Sequence, residues 1–332
     1  MSIDICDTNL VLEKTEASPI QRYALNGPTM GTRFSAIFYT KENLDLGTLN
    51  AKLQTAVNGI DEQMSPWKPQ SALMELNQAP IGHEIHIPNE FAIVLARAQQ
   101  ISANSGGAFD FCLGKITNAW GFGPHKSQPD QEQITALANQ NSPSLEAIHF
   151  NPTTQRARRQ QDIQIDLCGI AKGYGVDVLG DVLEQAGVSN YLVSIDGEMK
   201  ASGQKPDGQA WMIGVEGPDS GVRNVARVLE LSDLAIASSG NYRHQVVIDE
   251  KTYSHTFDPR TNLPVENILV AVSVVADDCM TADAWATALM VMGEEAGPEF
   301  ARAHQLSAIF FLKNGPETAV IETGVFADHG LE

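Results

Sequence analysis

Three short stretches of this chain carry side chains suited to chemistry on an anionic substrate. The first is a junction between a β-favouring run at 162–167 and a helical pattern that starts behind Gly169 and carries Lys172 at its beginning. A helix start offers free backbone N–H groups, and a lysine beside it adds positive charge, so the junction is suited to an anion. The alternative is an ordinary strand–helix junction with a surface lysine.

The second stretch is the helical pattern at 280–292, in which two oxygen-bearing side chains share one face. Asp283 and Thr287 are four residues apart, on a face that is otherwise small and apolar. A carboxylate beside a hydroxyl is a suitable half-site for Mg²⁺, which prefers oxygen ligands and often takes phosphate oxygens as the others. The alternative is a buried polar pair satisfied by the backbone, with Asp283 stabilising the helix dipole.

The third stretch places His255 at a strand end and Asp258 three residues later, at the start of a turn that contains proline. A histidine near a carboxylate is a candidate general base. The alternative is a half-exposed strand histidine. His83 and His86 lack the H-E-x-x-H spacing of a zinc-binding helix, and the sequence contains no Walker phosphate loop, dinucleotide fingerprint or serine-nucleophile elbow.

Composition limits the classes of partner. The chain has 332 residues, 43% of them hydrophobic, which is enough for a sizeable core. Its formal charge of −19 argues against nucleic-acid binding and against docking on an anionic membrane surface. The cysteines form no C-x-x-C pair, which predicts reduced, buried thiols rather than a zinc site or a disulfide framework. They are Cys6, Cys112, Cys168 and Cys279.

The N-terminal residues show neither the positive region nor the apolar core of an export signal. No stretch reaches the roughly 18 apolar residues of a membrane span. From the sequence as it stands we therefore expect a soluble, cytoplasmic protein.

Strand-like runs mostly follow one another, with few strand–helix alternations. This order favours an α+β fold of mixed or antiparallel sheets with flanking helices. We expect a polar leader at 1–28, a single domain at 29–332, a central strand at 269–276, and a solvated turn at the basic run 156–159. Strands are further predicted at 31–39, 191–195, 199–202, 211–216, 226–231, 245–249, 252–257, 308–313 and 319–323, and helices at 46–63, 91–103, 131–139, 170–186 and 280–292.

Eight motifs, in this order, resemble the FAD:protein FMN transferases of the ApbE type, which attach flavin to subunits of redox complexes. They extend from about residue 29 to residue 293 and so cover most of the chain. The motifs are T-M-G-T-R-F, M-S-P-W-K-P-Q-S-A-L, G-A-F-D-F-C-L-G, W-G-F-G, I-D-L-C-G-I-A-K-G-Y-G-V-D, A-S-S-G-N-Y, S-H-T-F-D-P-R-T and T-A-D-A-W-A-T-A-L. The resemblance implies one intertwined α+β unit with a central FAD cleft.

The resemblance also implies a role for each matching residue. Asp283 and Thr287, with the backbone carbonyl of Gly169, would hold Mg²⁺ or Mn²⁺. The catalytic residues would be His255, which takes the proton of the acceptor hydroxyl, together with Asp258 and Lys172. The residues that would line FAD are Met30, Trp67, Ala108, Phe109, Asp110, Asp166, Lys172 and Phe257.

The implied reaction is magnesium-dependent transfer of the FMN moiety of FAD to a Thr or Ser hydroxyl of an acceptor flavoprotein subunit, with release of AMP. FAD is then a substrate, and the acceptor is a transient partner. A FAD pyrophosphatase and a non-catalytic FAD-binding protein stay open as alternatives, as does a homodimer. Many relatives are periplasmic or membrane-anchored.

The chain departs from the family pattern at three places. Asn262 stands where the family typically has glycine, and Asp196-Gly197 replaces a typical Gly-Gly pair. Cys168 and Gly169 replace the small residues usual at their positions.

Overall fold

The structure, a computed structural model, describes residues 20–124, 128–138, 144–217, 225–241, 245–248, 250–315 and 317–328. The strands in these ranges are β1 Gln21–Thr29, β2 Thr32–Thr40, β3 Ile85–His86, β4 Ile148–Asn151, β5 Arg156–Arg159, β6 Asn190–Ile195, β7 Glu198–Ser202, β8 Trp211–Glu216, β9 Val225–Leu231, β10 Ala235–Gly240, β11 Gln245–Ile248, β12 Lys251–Ser254, β13 Phe257–Asp258, β14 Leu263–Pro264, β15 Leu269–Ala276, β16 Ser307–Asn314 and β17 Glu317–Thr323. The helices are α1 Leu46–Met64, α2 Ala72–Gln78, α3 Asn89–Asn104, α4 Gly114–Ala119, α5 Gln131–Ala138, α6 Ser144–Ala147, α7 Ala171–Gln185, α8 Cys279–Ala303 and α9 Val325–Asp328.

An eight-stranded antiparallel sheet forms the centre of the described structure. Its strand order is β1-β2-β6-β7-β10-β15-β16-β17. Helices including α1, α7 and α8 pack on one face, and the hairpin of β8 and β9 covers part of the other. The β15 run L-V-A-V-S-V-V-A is therefore buried on both faces. The predicted α+β class and the central strand at 269–276 are confirmed.

The two helices that matter most for the site follow their sequence signals. Helix α7 is followed by Gly187 at φ +80°, the left-handed conformation expected just past a helix end. Helix α8 begins behind Asp278, whose Oδ1 accepts a hydrogen bond from the Thr281 N–H at 2.7 Å. At Gly293 the backbone turns to φ 85° and interrupts the helix, next to the predicted end at 292. No helix within the described ranges is both long and apolar enough to cross a membrane.

Two strands of the central sheet were not predicted. β1 occupies part of the stretch assigned to a polar leader, because Asn26, Gly27 and Pro28 weaken its strand signal. β10 reads A-I-A-S-S-G, a composition with low strand propensity, yet it lies between β7 and β15. In both cases pairing with neighbouring strands outweighs local propensity.

The predicted strand at 162–167 is only an isolated bridge between Gln164 and Leu113. The side chain of Asn77 takes the place of a pairing strand there. Its Oδ1 accepts from the Ile165 N–H at 2.7 Å, and its Nδ2 donates to the Ile165 carbonyl at 2.9 Å. Asn77 is buried, so this pair of hydrogen bonds is shielded from water.

The basic run 156–159 is strand β5 rather than the solvated turn that the sequence suggested. Arg159 is 7% exposed, and its guanidinium donates to the carbonyls of Leu76, Ala79 and Ile163. Arg159 thus satisfies the carbonyls at the end of α2 and holds the segment that leads to the candidate site. The sequence does not reveal this because an arginine run in an acidic chain resembles an exposed turn.

We expect Arg159→Met to lower the free energy of unfolding by at least about 3 kcal/mol, because it leaves three carbonyls without their donor. Urea unfolding followed by circular dichroism measures the change. Arg156→Met is the matched control, since Arg156 is exposed on the same strand; its change should stay within about 0.5 kcal/mol. Equal values for the two variants would contradict a structural role for Arg159.

Candidate functional site

Two tight turns lie at the same end of the central sheet. Met30 and Gly31 join β1 to β2 with φ values of 46° and 74°, and Asp196 and Gly197 join β6 to β7 with 53° and 109°. Two consecutive residues in the left-handed region suit the right-handed twist of a two-residue hairpin. Because β2 pairs with β6, the two turns are neighbours.

The first of these turns places Met30 against helix α7. A Cβ added to Gly175 would lie 3.2 Å from Met30 Cε and 3.0 Å from Ile195 Cδ1. Met30 also carries backbone strain of about 1–2 kcal/mol, since it is not a glycine. Strain of this kind is often found at functional sites.

The departures from the family pattern at Asp196 and Asn262 keep the backbone of a turn. Both residues have positive φ, 53° and 57° respectively. Asp and Asn adopt this conformation more readily than other residues with a side chain. Asn262 is also buried, and its Nδ2 donates to the Leu137 carbonyl at 2.9 Å.

Helices α7 and α8 cross in contact at the level of Asp283. The Asp283 side chain is buried, and its Oδ2 accepts from the Gly173 N–H at 3.0 Å. A Cβ on Gly173 would lie 2.3 Å from the Cys279 carbonyl oxygen and 2.8 Å from Asp283 Cβ. Only glycine fits this position without a backbone shift, so the crossing fixes Asp283 at the start of α7.

Thr287 lies one turn further along α8 and faces the loop before α7. Its Oγ1 is 3.0 Å from the position of a Cβ on Gly169 and 3.1 Å from Ser239 Oγ. Phe109 Cε2 is 3.4 Å from the same Cβ position. The structure thus places Gly169 next to Thr287, one helical turn from Asp283, while the role of the three residues in metal binding stays a prediction.

Lys172 enters the same cluster from the first turn of α7 and is paired with two carboxylates. Its Nζ is 2.6 Å from Glu198 Oε1 and 3.7 Å from Asp196 Oδ2. Burial opposes the ammonium charge, but the nearby Glu198, Asp283 and Asp196 carboxylates outweigh it and raise the pKa of Lys172. Lys172 is therefore a permanent cation in this cluster.

The surroundings of Asp283 disfavour its charged form, whereas those of Lys172 favour its charged form. Burial, followed by repulsion from Glu198, raises the pKa of Asp283 to about 7, against the lowering influence of Lys172 and the Gly173 N–H. In the absence of a bound cation this carboxyl is costly to ionise. A cation beside it would remove that cost.

Asp177 is a second buried acid that joins the two helices, and the sequence did not single it out. Its carboxylate accepts from the N–H groups of Cys279 and Met280, both at 2.9 Å, and lies 3.4 Å from Lys200 Nζ. Burial raises the pKa of Asp177 to about 6 in spite of these partners. Asp177 thus fixes the start of α8, from which Asp283 projects.

Two aspartates shape the loops that face this cluster. Asp110 Oδ1 accepts from the Cys112 N–H at 2.7 Å, and Asp166 Oδ1 accepts from the Cys168 N–H at 2.8 Å. The Asp166 N–H donates to the Phe111 carbonyl at 2.8 Å, which joins the two loops. Both side chains hold their own turns, as aspartates in loops often do.

The other residues predicted to line FAD have varied exposure. Phe109 is 3% exposed, Ala108 packs against the main core, and Trp67 is 52% exposed in the loop between α1 and α2. An exposed tryptophan is a suitable cover for a planar ring.

The thiols differ in exposure as well. Cys112 and Cys279 are buried as expected, whereas the expectation was wrong for Cys168, which is exposed in the loop before α7. Cys6 lies outside the described residues.

His255 and Phe257 lie beside an aromatic cluster contributed by α4 and the residues that follow it. The His255 ring is 6.1 Å from the Phe122 ring in an edge arrangement, and Phe257 is 6.0 Å from Phe122 and 6.1 Å from Trp120. Asp258 accepts hydrogen bonds from Arg260 at both carboxylate oxygens. The contact between His255 and Asp258 that the sequence suggested stays a prediction.

A continuous segment at 105–122 connects this histidine to the helix crossing. Phe109 contacts the Gly169 region at one end, and Phe122 contacts His255 at the other. Between them, Leu113 bridges to Gln164. The segment therefore gives the two groups of predicted residues a common support.

Sequence reasoning missed Glu198, Asp177 and Gly173. A single acid at the start of a strand and a glycine in the first turn of a helix give no signal of their own. Gly173 stands out only when the neighbouring helix is in place.

Comparisons with known proteins agree on one family. The model of the ApbE family matches residues 30–310. The FAD:protein FMN transferase of Vibrio cholerae is 35% identical over 300 residues, 89% of each chain, and that of Escherichia coli K12 is 32% identical over 314 residues, 93% of this chain and 89% of the other. The solved structure described as flavin transferase ApbE from Vibrio cholerae has a TM-score of 0.84 at 33% identity and covers 93% of this chain and 99% of that one. The apo flavinyl transferase ApbE of Pseudomonas stutzeri has a TM-score of 0.83 at 32% identity, with 93% and 96% covered.

Proposed function

Because this chain belongs to the ApbE family, we propose that it is an FAD:protein FMN transferase. In this reaction an acceptor hydroxyl attacks the FMN phosphorus of FAD, the bond to the AMP phosphate breaks, and AMP leaves. FMN stays on a Thr or Ser of the acceptor protein as a phosphoester. No electrons are transferred, so FAD serves as a substrate.

The observation that carries the proposal is the helix crossing that gathers Gly169, Lys172, Asp283 and Thr287 from two distant stretches of chain. A hydroxyl, a carboxylate and a fixed lysine at the start of a helix are suited to a pyrophosphate and its counter-cation. A protein that only stores FAD has no need for this set at the scissile bond.

The same residues fit a magnesium ion. Within the described ranges, no three His, Cys, Asp or Glu side chains are arranged so that they could hold a metal ion by themselves. Mg²⁺ commonly binds one or two carboxylates and takes substrate phosphate oxygens for the rest. Asp283, Thr287 and the Gly169 carbonyl would hold it, and the raised pKa of Asp283 indicates a carboxyl that gains from a cation. When bound, the ion would neutralise charge on the pyrophosphate.

The protein's own residues then have separate tasks. Lys172 stabilises the negative charge that develops on the pyrophosphate as AMP departs. His255 takes the proton of the acceptor hydroxyl. We assign this task to Nε2, since Nδ1 is shielded from solvent while the residue as a whole is half-buried. Trp67, Met30, Ala108, Phe109, Asp110, Asp166 and Phe257 would surround FAD.

One assay tests the proposal. The protein is incubated with FAD, Mg²⁺ and a flavin-acceptor domain, and AMP release is followed together with the in-gel fluorescence of the acceptor. We expect one AMP for each labelled acceptor. Release of AMP without labelling of the acceptor would indicate the FAD pyrophosphatase reaction instead. If neither AMP nor labelled acceptor forms, the protein only binds FAD.

We expect magnesium affinity to rise with pH. In the cation-free protein the Asp283 carboxyl keeps its proton up to about pH 7. In the unfolded chain the same carboxyl would lose its proton near pH 3.8, the ordinary pKa of an aspartate. Below pH 7 the metal must displace this proton, so the apparent affinity should increase from pH 6 to about 7 and then level off. Titration calorimetry in two buffers of different ionisation enthalpy would count the released protons.

The matched control for this titration is Asp283→Asn, in which no proton release should accompany any residual binding. A magnesium affinity that does not change between pH 6 and 8 in the wild-type protein would contradict the assignment of Asp283 to the metal.

A further inference from the structure

Glu198 is a buried carboxylate beside the proposed pyrophosphate site, and the proposed reaction gives it no task. Its side chain is 4% exposed, and its Oε1 accepts from Lys172 Nζ at 2.6 Å. Its Oε2 is shielded from solvent, and no described residue supplies a hydrogen-bond donor to it. A buried carboxylate oxygen without a partner is unfavourable for folding, so stability alone does not account for Glu198.

The backbone that carries Glu198 is firmly held. Glu198 opens β7 and pairs with Ile195 across the two-residue turn of Asp196 and Gly197. This hairpin lies inside the central sheet, between β2 and β10. Lys172, in contrast, has a flexible four-carbon side chain. The fixed anion therefore determines where the mobile ammonium group lies.

The geometry leaves Lys172 able to serve a ligand as well. An ammonium group has three N–H donors, and the hydrogen bond to Glu198 occupies one of them. Asp196 Oδ2 is 3.7 Å away with a side chain 46% exposed, which makes it a weaker second anchor. The remaining donors stay available to phosphate oxygens. A lysine held in place favours the charge that develops during the reaction over the charge already present in the substrate.

We propose that Glu198 is a positioning residue, which holds the Lys172 ammonium at the pyrophosphate site through a buried ion pair supported by Asp196. The inference rests on the proposed function, since it concerns the rate of FMN transfer. It adds a residue that acts through Lys172 and touches neither FAD nor the metal.

Glu198→Gln tests this directly, because it removes the charge and keeps nearly the same shape. We expect kcat for AMP release to fall about 10- to 100-fold, as is typical when a supporting residue of a site is lost. The dissociation constant for FAD, measured by flavin fluorescence quenching in EDTA, should not increase, because a carboxylate that repels the pyrophosphate has been neutralised. We expect the melting temperature to fall, because removing one partner of a buried ion pair leaves the Lys172 charge less compensated, so both constants are measured well below it.

The matched control is Glu266→Gln, which removes an exposed ion pair with Lys251 and should leave kcat and FAD affinity unchanged. Asp196→Asn is the second variant, since Asn tolerates the left-handed turn. We expect its kcat to fall about two- to fivefold, in keeping with a weaker and more exposed anchor. This variant carries the test alone if Glu198→Gln does not fold.

Three results would overturn the inference. These are an unchanged kcat in Glu198→Gln, weakened FAD binding in that variant, and, where only Asp196→Asn folds, an unchanged kcat in Asp196→Asn. Wild-type protein that neither releases AMP nor labels an acceptor is a different failure, because it rejects the proposed function itself.

Discussion

The Asp283→Asn variant is expected to fold normally and to lose flavin transfer almost completely. The amide oxygen can still accept the hydrogen bond of the Gly173 N–H, so the crossing of α7 and α8 is kept. A neutral group also avoids the cost of a buried charge, which the raised pKa of Asp283 reflects. The proposed Mg²⁺ site would lose its one carboxylate from α8, and we expect a rate decrease of about a thousandfold, or about 4 kcal/mol.

AMP release and acceptor fluorescence at saturating FAD and Mg²⁺ measure this loss, and thermal unfolding tests the fold. Asp277→Asn is the matched control, because Asp277 is exposed just before α8 and lies outside the cluster. Asp283→Ala should be equally inactive and less stable, since the Gly173 N–H then has no acceptor. Full activity in either Asp283 variant would disprove the metal assignment.

The His255→Ala variant is expected to bind FAD normally and to transfer FMN about 10² to 10⁴ times more slowly, the usual contribution of a general base. The reason is that, in the proposed mechanism, His255 acts on the acceptor hydroxyl, whereas the pyrophosphate of FAD would be held at the helix crossing. Fluorescence quenching measures FAD binding, and the labelling rate of the acceptor measures transfer.

His149→Ala serves as the control, because His149 is exposed on β4. Should His255→Ala fail to bind FAD, His255 would instead be a structural part of the aromatic cluster around Phe122.

The sequence predicted elements wherever a local rule decides the structure. Gly187 ends α7 in the left-handed conformation, and the alternating run 211–216 is strand β8. The i, i+4 spacing correctly placed Asp283 and Thr287 on one face of α8. These signals lie within a single element and therefore survive folding.

The sequence was misleading where partners from distant elements decide. Asn77 supplies the hydrogen bonds that a strand would have given to Ile165. Arg159 is buried only because α2 ends beside it. Glu198 becomes notable only when α7 brings Lys172 to the tip of a hairpin. None of these contacts is indicated by a pattern of residues at fixed spacing along the chain.

We keep the single domain at 29–332 as a proposal. The central sheet supports a single domain, because β2 from the beginning of the described chain shares the sheet with β16 and β17 from its end. β1 at Gln21–Thr29 belongs to the same sheet, so we extend the proposed domain to residue 21.

The contact of α7 with α8 at Gly173 has a consequence for ligand binding. The residues proposed to hold the pyrophosphate and its cation lie on two helices whose backbones are in van der Waals contact, so the distance between these residues is fixed. Neither helix can move towards or away from the other without disturbing the core. The free-energy cost of assembling this half of the site is therefore met when the chain folds. At the proposed site FAD would encounter a preorganised receptor, and its binding free energy would remain available for the reaction itself.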